Sequence, residues 1–462
     1  MAIPIVKYYA ATPNPMSEYA IEFALEALGY AARRASSPQD CHLYYGSGAA
    51  RPAGVPVWIP EDADSSGLCP RAFDAPEADD VFRAIALLLT DRVNRDGPGG
   101  QYDEHDRLRF RASWQAVNGC AEIPFVNACV HTLREPLKRA VPGDPLGLWP
   151  EGKRAAIGLS HDVDRLDRWA EMKGCIMCLP RLGVAYMIDA ARSLPRNLTR
   201  RHDDFGLFRD LMTFESELGF RSTFFFASVN RYEKGRDVHD VAYGITGRKQ
   251  RRLFEQILSS GFEVGLHSSY RAREGGGDAF REERVLLERA SGAKVLGQRH
   301  HFWHTDREAE KTIAHHEDAG FGYDSSIAFN EAAGFRRNVA LPYYPWHPGR
   351  GRALRVLELP VFCMDGSVFD RRGGGADEAV VRVRHFAAIV KAHGGVGVIN
   401  WHSDTSHPLT PAYRSWGACY FSVLETLADD SGIWVTNLGR LYQWVEERRA
   451  RLRAGPLRDS CP

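Results

Sequence analysis

The chain has 462 residues, 44% of them hydrophobic and 26% charged, and its basic and acidic side chains balance at 59 each. That length exceeds one ordinary core and points to two or three domains of soluble type. The balance gives no global pull toward nucleic acid or acidic membranes, and no window approaches the roughly 18–20 apolar residues of a membrane span.

Residues 1–10 lack a secretory pattern, and nine scattered cysteines suit a reducing, cytoplasmic setting. From 1 to 138 helical and strand patterns mix. An amphipathic helix is expected over 18–28, stopped by Gly29. Short strands are expected at 42–46 and 55–60, then a helix over 79–92. Phe125, Val126, Cys129, Val130 and Leu133 have the spacing of a third helix, one that stops before Pro136. No catalytic residue types gather here, so 1–138 reads as a smaller accessory α/β domain. Pro142, Pro145 and Pro150, with Gly143, Gly147 and Gly152, mark 139–153 as a linker.

Beyond the linker, apolar runs at 155–159, 221–227, 262–266, 294–296, 356–362, 396–399 and 433–435 read as strands. Helical patterns at 204–218, 248–259, 279–290, 307–319, 377–392 and 415–428 lie between them, several closed by glycine. Such alternation predicts a parallel sheet wrapped by helices, and the number of units favours a closed or nearly closed β/α barrel over 154–446. Gly275-Gly276-Gly277 and Gly373-Gly374-Gly375 read as loops without phosphate-cradle spacing. Cys175 and Cys178 read as packing residues, and residues 447–462 as a tail after a solvated basic helix end.

In parallel β/α folds function collects at the carboxyl ends of strands. The first such end carries Ser160-His161-Asp162-Val163-Asp164, whose two carboxylates share a side by two-residue alternation. Paired carboxylates need a positive partner. Either a metal ion sits there, or one Asp caps a helix while Arg165 or Arg168 meets the other. Later ends supply His267, Ser268, Ser269 and Tyr270, then Arg299, His300, His301 and His304, then Asp365, then Asn400, Trp401 and His402. Asp and His around one mouth, with a position left for water, suit a hard or borderline metal and hydrolysis of an amide or ester.

The blocks Ser-His-Asp-Val-Asp, Glu-Val-Gly-Leu-His-Ser-Ser-Tyr, Gln-Arg-His-His-Phe-Trp and Asn-Trp-His resemble the polysaccharide deacetylase (NodB-homology) family of carbohydrate esterases. The likeness is greatest to a bacterial branch whose first motif reads T-H-D-V-D. Gly320 to Ser326 and Leu359-Pro360-Val361 also match that branch, and the N-terminal region is similar to an accessory domain that often precedes it. The resemblance implies a deformed β/α barrel and metal-dependent removal of an acyl group, usually N-acetyl, from a sugar or glycan. It implies Asp162 as general base, Asp164 and His267 as ligands of a divalent metal, zinc foremost, Arg299 as the group that orients the base, and His402 as general acid. The family's second motif carries a further metal histidine where this chain has Arg271. His301, which would share a strand face with Arg299 by two-residue alternation, is the expected replacement, ahead of His300 and His304. Trp401, Tyr270 and Trp303 are expected to line the sugar site. The alternatives are a glycan-binding protein that has lost its chemistry, and an amidase acting on a non-sugar substrate.

Overall fold

A nine-residue strand, Ala155–Val163, is buried along its whole length and carries the Ser-His-Asp-Val part of the first motif at its end. The computed structural model describes residues 3–47, 53–61, 80–95, 101–166, 206–229, 239–241, 243–369, 375–406 and 413–454. Arg168, Cys175, Cys178, Gly373 and Gly374 lie outside them.

The N-terminal region builds β1 (Ile5–Ala10), β2 (Ala31–Arg34), β3 (Leu43–Gly46) and β4 (Val57–Pro60) into a parallel sheet of order β2-β1-β3-β4. The helix Pro15–Leu28 begins where Asn14 accepts a hydrogen bond from the Met16 amide. It ends at Gly29, whose φ of 92° is the left-handed geometry that glycine adopts without strain. Its Ile21 and Leu25 join Phe82 and Ile85 of the helix Val81–Leu89 and Val6 and Leu43 of the sheet in one core.

The larger sheet comprises β5 (Ala155–Val163), β6 (Thr223–Phe226), β7 (Glu263–Ser268), β8 (Gly297–His300) and β9 (Tyr323–Asp324), with β12 (Leu357–Glu358), β13 (Val361–Met364), β14 (Val396–Asn400) and β15 (Ile433–Thr436). A small antiparallel pair, β10 (Trp346–His347) and β11 (Arg352–Ala353), stands apart. All pairings in the larger sheet are parallel. Its path runs β12-β9-β8-β7-β6-β5-β14-β13. The two ends of that path are halves of one segment broken at Pro360, where β12 pairs with β9 and β13 with β14. The sheet therefore curls until first and last members are chain neighbours, which gives the β/α barrel that the alternating pattern predicts, in the deformed form that the resemblance implies.

Strand β5 has β14 on one edge, and on the other β15 along Ala155 to Gly158 and β6 along Ser160 to Val163. Two-residue alternation sorts its side chains. Ala155, Ile157, Leu159 and Val163 join the large cluster that includes Phe208, Phe254 and Leu424 of the surrounding helices. Ala156 joins a second cluster with Phe225, Tyr323, Val396 and Val398 inside the barrel. Gly297 also faces inward, and a Cβ there would lie 1.9 Å from the Tyr323 ring. Leu438 and Leu441, at the start of the helix Leu438–Arg453, close the barrel floor beside Gly158.

Several local expectations shift. The strand expected at 294–296 lies instead at Gly297–His300. The glycines at 275–277 are not a loop: Gly276 and Gly277 open the helix Gly276–Ser291. The third helix, Phe125–Thr132, does stop before Pro136, but Pro136 then sits in the first turn of a further helix, Arg134–Ala140, where its missing amide proton costs no hydrogen bond. No tail begins at 447, because the last helix runs on to Arg453. Arg448, expected in a solvated end, is buried and donates to the carbonyls of Glu26, Leu146 and Gly147. The 139–153 stretch is itself packed, with the buried Trp149 donating from its indole to Gly394 O.

Candidate metal centre

Inward positions at the carboxyl ends of β5, β8 and β14 bring Asp162, Arg299 and Asn400 together. Arg299 is fully buried and donates from Nη1 to Asp162 Oδ1 at 2.9 Å and to Asn400 Oδ1 at 2.7 Å. Asn400 Nδ2 donates to Asp162 Oδ2 at 2.8 Å. Ser325 accepts from the other side of the guanidinium, and the Phe225 ring lies 4.5 Å below it. Burial alone would raise the Asp162 pKa, but Arg299, then His267 and His402, bring it down to about 2. Asp162 is therefore a fixed, ionised carboxylate with lone pairs to spare.

Asp164 stands one alternation further on, with Oδ1 turned inward 3.4 Å from both His267 Nε2 and His301 Nε2. The candidate ligand atoms of the three residues all lie within 4.8 Å of one another. His267 Nδ1 is 3.0 Å from the Arg299 carbonyl, so Nδ1 carries the proton and the ring turns its Nε2 lone pair toward Asp164. His301 Nδ1 faces Asp240 Oδ1 at 3.8 Å, a carboxylate behind an imidazole. Asp164 Oδ1 is buried and accepts no hydrogen bond. A buried anionic oxygen facing imidazole lone pairs is satisfied by a cation between them, and a carboxylate with two imidazoles is a donor set for a divalent ion with an open position. Without an ion, His301 itself supplies the positive charge. Burial would lower its pKa, but Asp164 and Asp240 raise it to about 9. Burial pushes Asp164 up, and His301, His267 and His402 hold it well below the usual carboxylate range.

His402 completes the rim. Its backbone amide donates to Asp365 Oδ2 at 2.9 Å, and its Nδ1 lies 3.0 Å from the same carboxylate. Its Nε2 is 3.7 Å from Asp164 Oδ2. Burial disfavours the imidazolium, but Asp365 foremost, then Asp164 and Asp162, raise the His402 pKa well above its ordinary value. Asp164 and His402 are the open members of the group, at 33% and 22% side-chain exposure, against 4% or less for Asp162, Arg299, His267 and Asp365. Access is from their side.

The expected route to His301 differs from the one found. It does not continue the β8 face. The strand ends at His300, and His301 opens the turn His301–Trp303, in which Phe302 and Trp303 have φ of 58° and 51°. Left-handed backbone at two bulky residues costs about 1–2 kcal/mol each. His300 points to the outer face against Phe280, and His304 Nδ1 bonds Tyr270 O, so neither joins Asp164. His161 also points outward, to Glu215, Ser406 and the Trp401 carbonyl. Arg165 pairs with Asp404 rather than with either motif carboxylate. Arg271, in the place of the family's second histidine, is turned out to Glu274.

The three aromatic residues expected to line a sugar site do not present open faces. Trp401 is wholly buried in the outer core, because alternation along β14 puts it opposite Asn400. Tyr270 is 8% exposed and stacks on His304 at 3.8 Å. Trp303 is 7% exposed and packs in the inner cluster. Sequence reasoning gives no role to Asn400 or Asp365, although both stand at strand ends, and it passes over Asp240. It also misses the N-terminal hairpin around Asp103–Arg107, which reaches the barrel mouth: His105 Nδ1 meets the Tyr270 hydroxyl at 2.9 Å.

No protein-family model matches the chain, and no curated protein matches it. Solved structures similar to it include polysaccharide deacetylases. One, from Mycobacterium smegmatis and so assigned, is 18% identical over 67% of this chain and 95% of its own, with a TM-score of 0.42. Another so assigned, from Pseudomonas aeruginosa PAO1, is 13% identical over 66% and 95%, with a TM-score of 0.42. Puue allantoinase is 14% identical over 66% and 95%, with a TM-score of 0.41.

Proposed function

We propose that this protein is a metal-dependent hydrolase that removes an acyl group, N-acetyl foremost, from a sugar or glycan precursor in the cytoplasm. The observation that carries this reading is the buried, unbonded Asp164 Oδ1 facing two imidazole nitrogens, with a second, ionised carboxylate beside it. Asp164, His267 and His301 would hold the ion, and zinc suits this donor set. A divalent ion bound there supplies Lewis acidity, lowering the pKa of water and polarising a carbonyl.

The chain's own residues do the rest. Asp162 receives the proton of the attacking water, and Arg299 with Asn400 keeps it in place and charged. His402, steadied through Nδ1 by Asp365, hands a proton from Nε2 to the departing nitrogen. The described cysteines Cys41, Cys120, Cys363 and Cys419 are free and buried, which suits a reducing compartment. Because Trp401, Tyr270 and Trp303 offer no open ring, the same residues serve an amidase on a non-sugar substrate equally well. Arg271 in the place of a family histidine favours a non-catalytic glycan binder.

Metal analysis of freshly purified protein, followed by acetate release from a panel of N-acetylated sugars and simple amides, separates these readings. Asp162→Asn is expected to keep metal and lose turnover, and His267→Ala to lose metal. Absence of metal, or full activity in both variants, would refute the hydrolase.

A further inference from the structure

The third ligand of the proposed centre stands on a turn that the barrel alone does not hold. A hairpin of the N-terminal region, closed by the bridge between Tyr102 and Leu108, presses against it. Asp103 stiffens this hairpin by accepting from the amides of His105 and Arg107 at 2.9 Å each and from Arg107 Nε at 2.8 Å. Arg107 then donates from Nη1 to Phe302 O, 3.3 Å away, and to Asn330 Oδ1 at 3.1 Å. Phe302 is the first of the two left-handed residues next to His301, and its ring lies under the same guanidinium at 5.9 Å. The far end of the turn is tied as well. Arg273 donates to Thr305 O at 2.6 Å and to Asp106 at 2.7 Å.

A strained turn persists only where its surroundings over-determine it. Here one of the determining groups, Arg107, comes from a region nearly two hundred residues away in sequence (|i−j| = 195 for Arg107 and Phe302), while Arg273 at the far end belongs to the barrel and is itself tied to Asp106. We infer that Arg107 is a positioning residue for the metal centre: the N-terminal hairpin sets the direction of the His301 ring, so that the site is shared between the N-terminal region and the barrel. This rests on the metal-site reading above. It assigns the N-terminal region a part in building the site rather than in carrying it.

Two measurements on the full chain test it. Hydrogen exchange of peptides covering 298–306 is followed in metal-free protein, and zinc affinity is measured by competition with a chelating dye. Arg107→Ala is expected to speed exchange in that segment and weaken zinc binding about 10- to 100-fold, the usual effect of losing an outer support of a ligand. Arg107→Lys keeps the charge beside Asp103 but cannot bridge three acceptors, and falls between. Arg336→Ala removes the pair with Asp91, another contact to the N-terminal region that does not touch the turn, and should change neither reading. If Arg107→Ala behaves like Arg336→Ala in both, the inference is overturned. If the unaltered protein binds no zinc, the hydrolase reading falls, while the exchange comparison still decides whether Arg107 holds the turn.

Discussion

Exchanging the side chains at 162 and 400 separates stability from chemistry at this site. In Asp162→Asn the buried Arg299 loses its counter-charge. The new amide offers one acceptor where the carboxylate offered two, to Arg299 Nη1 and to Asn400 Nδ2. Breaking a buried ion pair costs about 3–5 kcal/mol, and one retained hydrogen bond offsets about 1 kcal/mol of that. The single variant should therefore lose about 2–4 kcal/mol. When Asp162→Asn is combined with Asn400→Asp, the polarity of the network is reversed without gaps. Arg299 keeps an oxygen acceptor at each position, and the amide now at 162 donates to the carboxylate now at 400. Urea unfolding should place the double variant within about 1 kcal/mol of the unaltered protein. Turnover should stay depressed about 100- to 10,000-fold in both, because the carboxylate has moved away from the attacking water. A single variant as stable as the unaltered chain, or a double variant no better than the single, would refute the hydrogen-bond reasoning. A double variant that turns over normally would remove Asp162 from the role of base.

Other outcomes follow from the same geometry. With its pKa raised to about 9 in the metal-free protein, His301 must shed a proton to bind an ion. Zinc affinity should thus fall as pH falls below that value, by up to about tenfold per unit, in dye competition at about pH 8.5 and about pH 6.5. Glu317 is pushed up by burial but brought down to about 2 by Arg352, Arg355 and Arg350. A depressed carboxylate stabilises fully above its ordinary pKa of about 4.5, and the effect fades as pH drops toward about 2. Glu317→Gln should therefore cost about 1–2 kcal/mol at neutral pH, after discounting for its exposed arginines, and little near about pH 2. Trp401→Ala should cost about 3–5 kcal/mol through the cavity it leaves. It should leave the KM of the folded fraction unchanged, since the ring never reaches the mouth, and a changed KM would return Trp401 to the substrate site.

The barrel is legible in the sequence because most of its strands are apolar runs ended by glycine or by a polar group. Strand β8 is not. Its residues Gly297, Gln298, Arg299 and His300 are polar yet buried, and the neighbouring Val295 and Leu296 draw the expectation upstream. Hydrophobic pattern cannot mark a strand whose burial is offset by ion pairs and hydrogen bonds. The pairing of Asp162 with Asp164 is visible from alternation. The same rule, applied to Asn400 and Trp401, turns the tryptophan away from the mouth. His301 is expected in the right company by a wrong route, because left-handed backbone at Phe302 and Trp303 has no signature in a sequence without glycine. The hairpin at Asp103–Arg107 looks like an ordinary charged loop. Its meaning lies in partners far along the chain, and local spacing carries no record of those.

Strand β5 waits long for its full set of neighbours. Residues 396–400 and 433–436 leave the ribosome about 230 to 270 positions later than Val163, a delay of roughly 10 to 55 s at about 5–20 residues per second. During that interval the apolar ribbon that bears Asp162 has only β6, along its carboxyl half, and nothing on the edge that β14 will take. A nascent chain of this protein therefore carries an apolar strand edge without its later partners while it is being made, and its candidate centre is among the last parts to assemble.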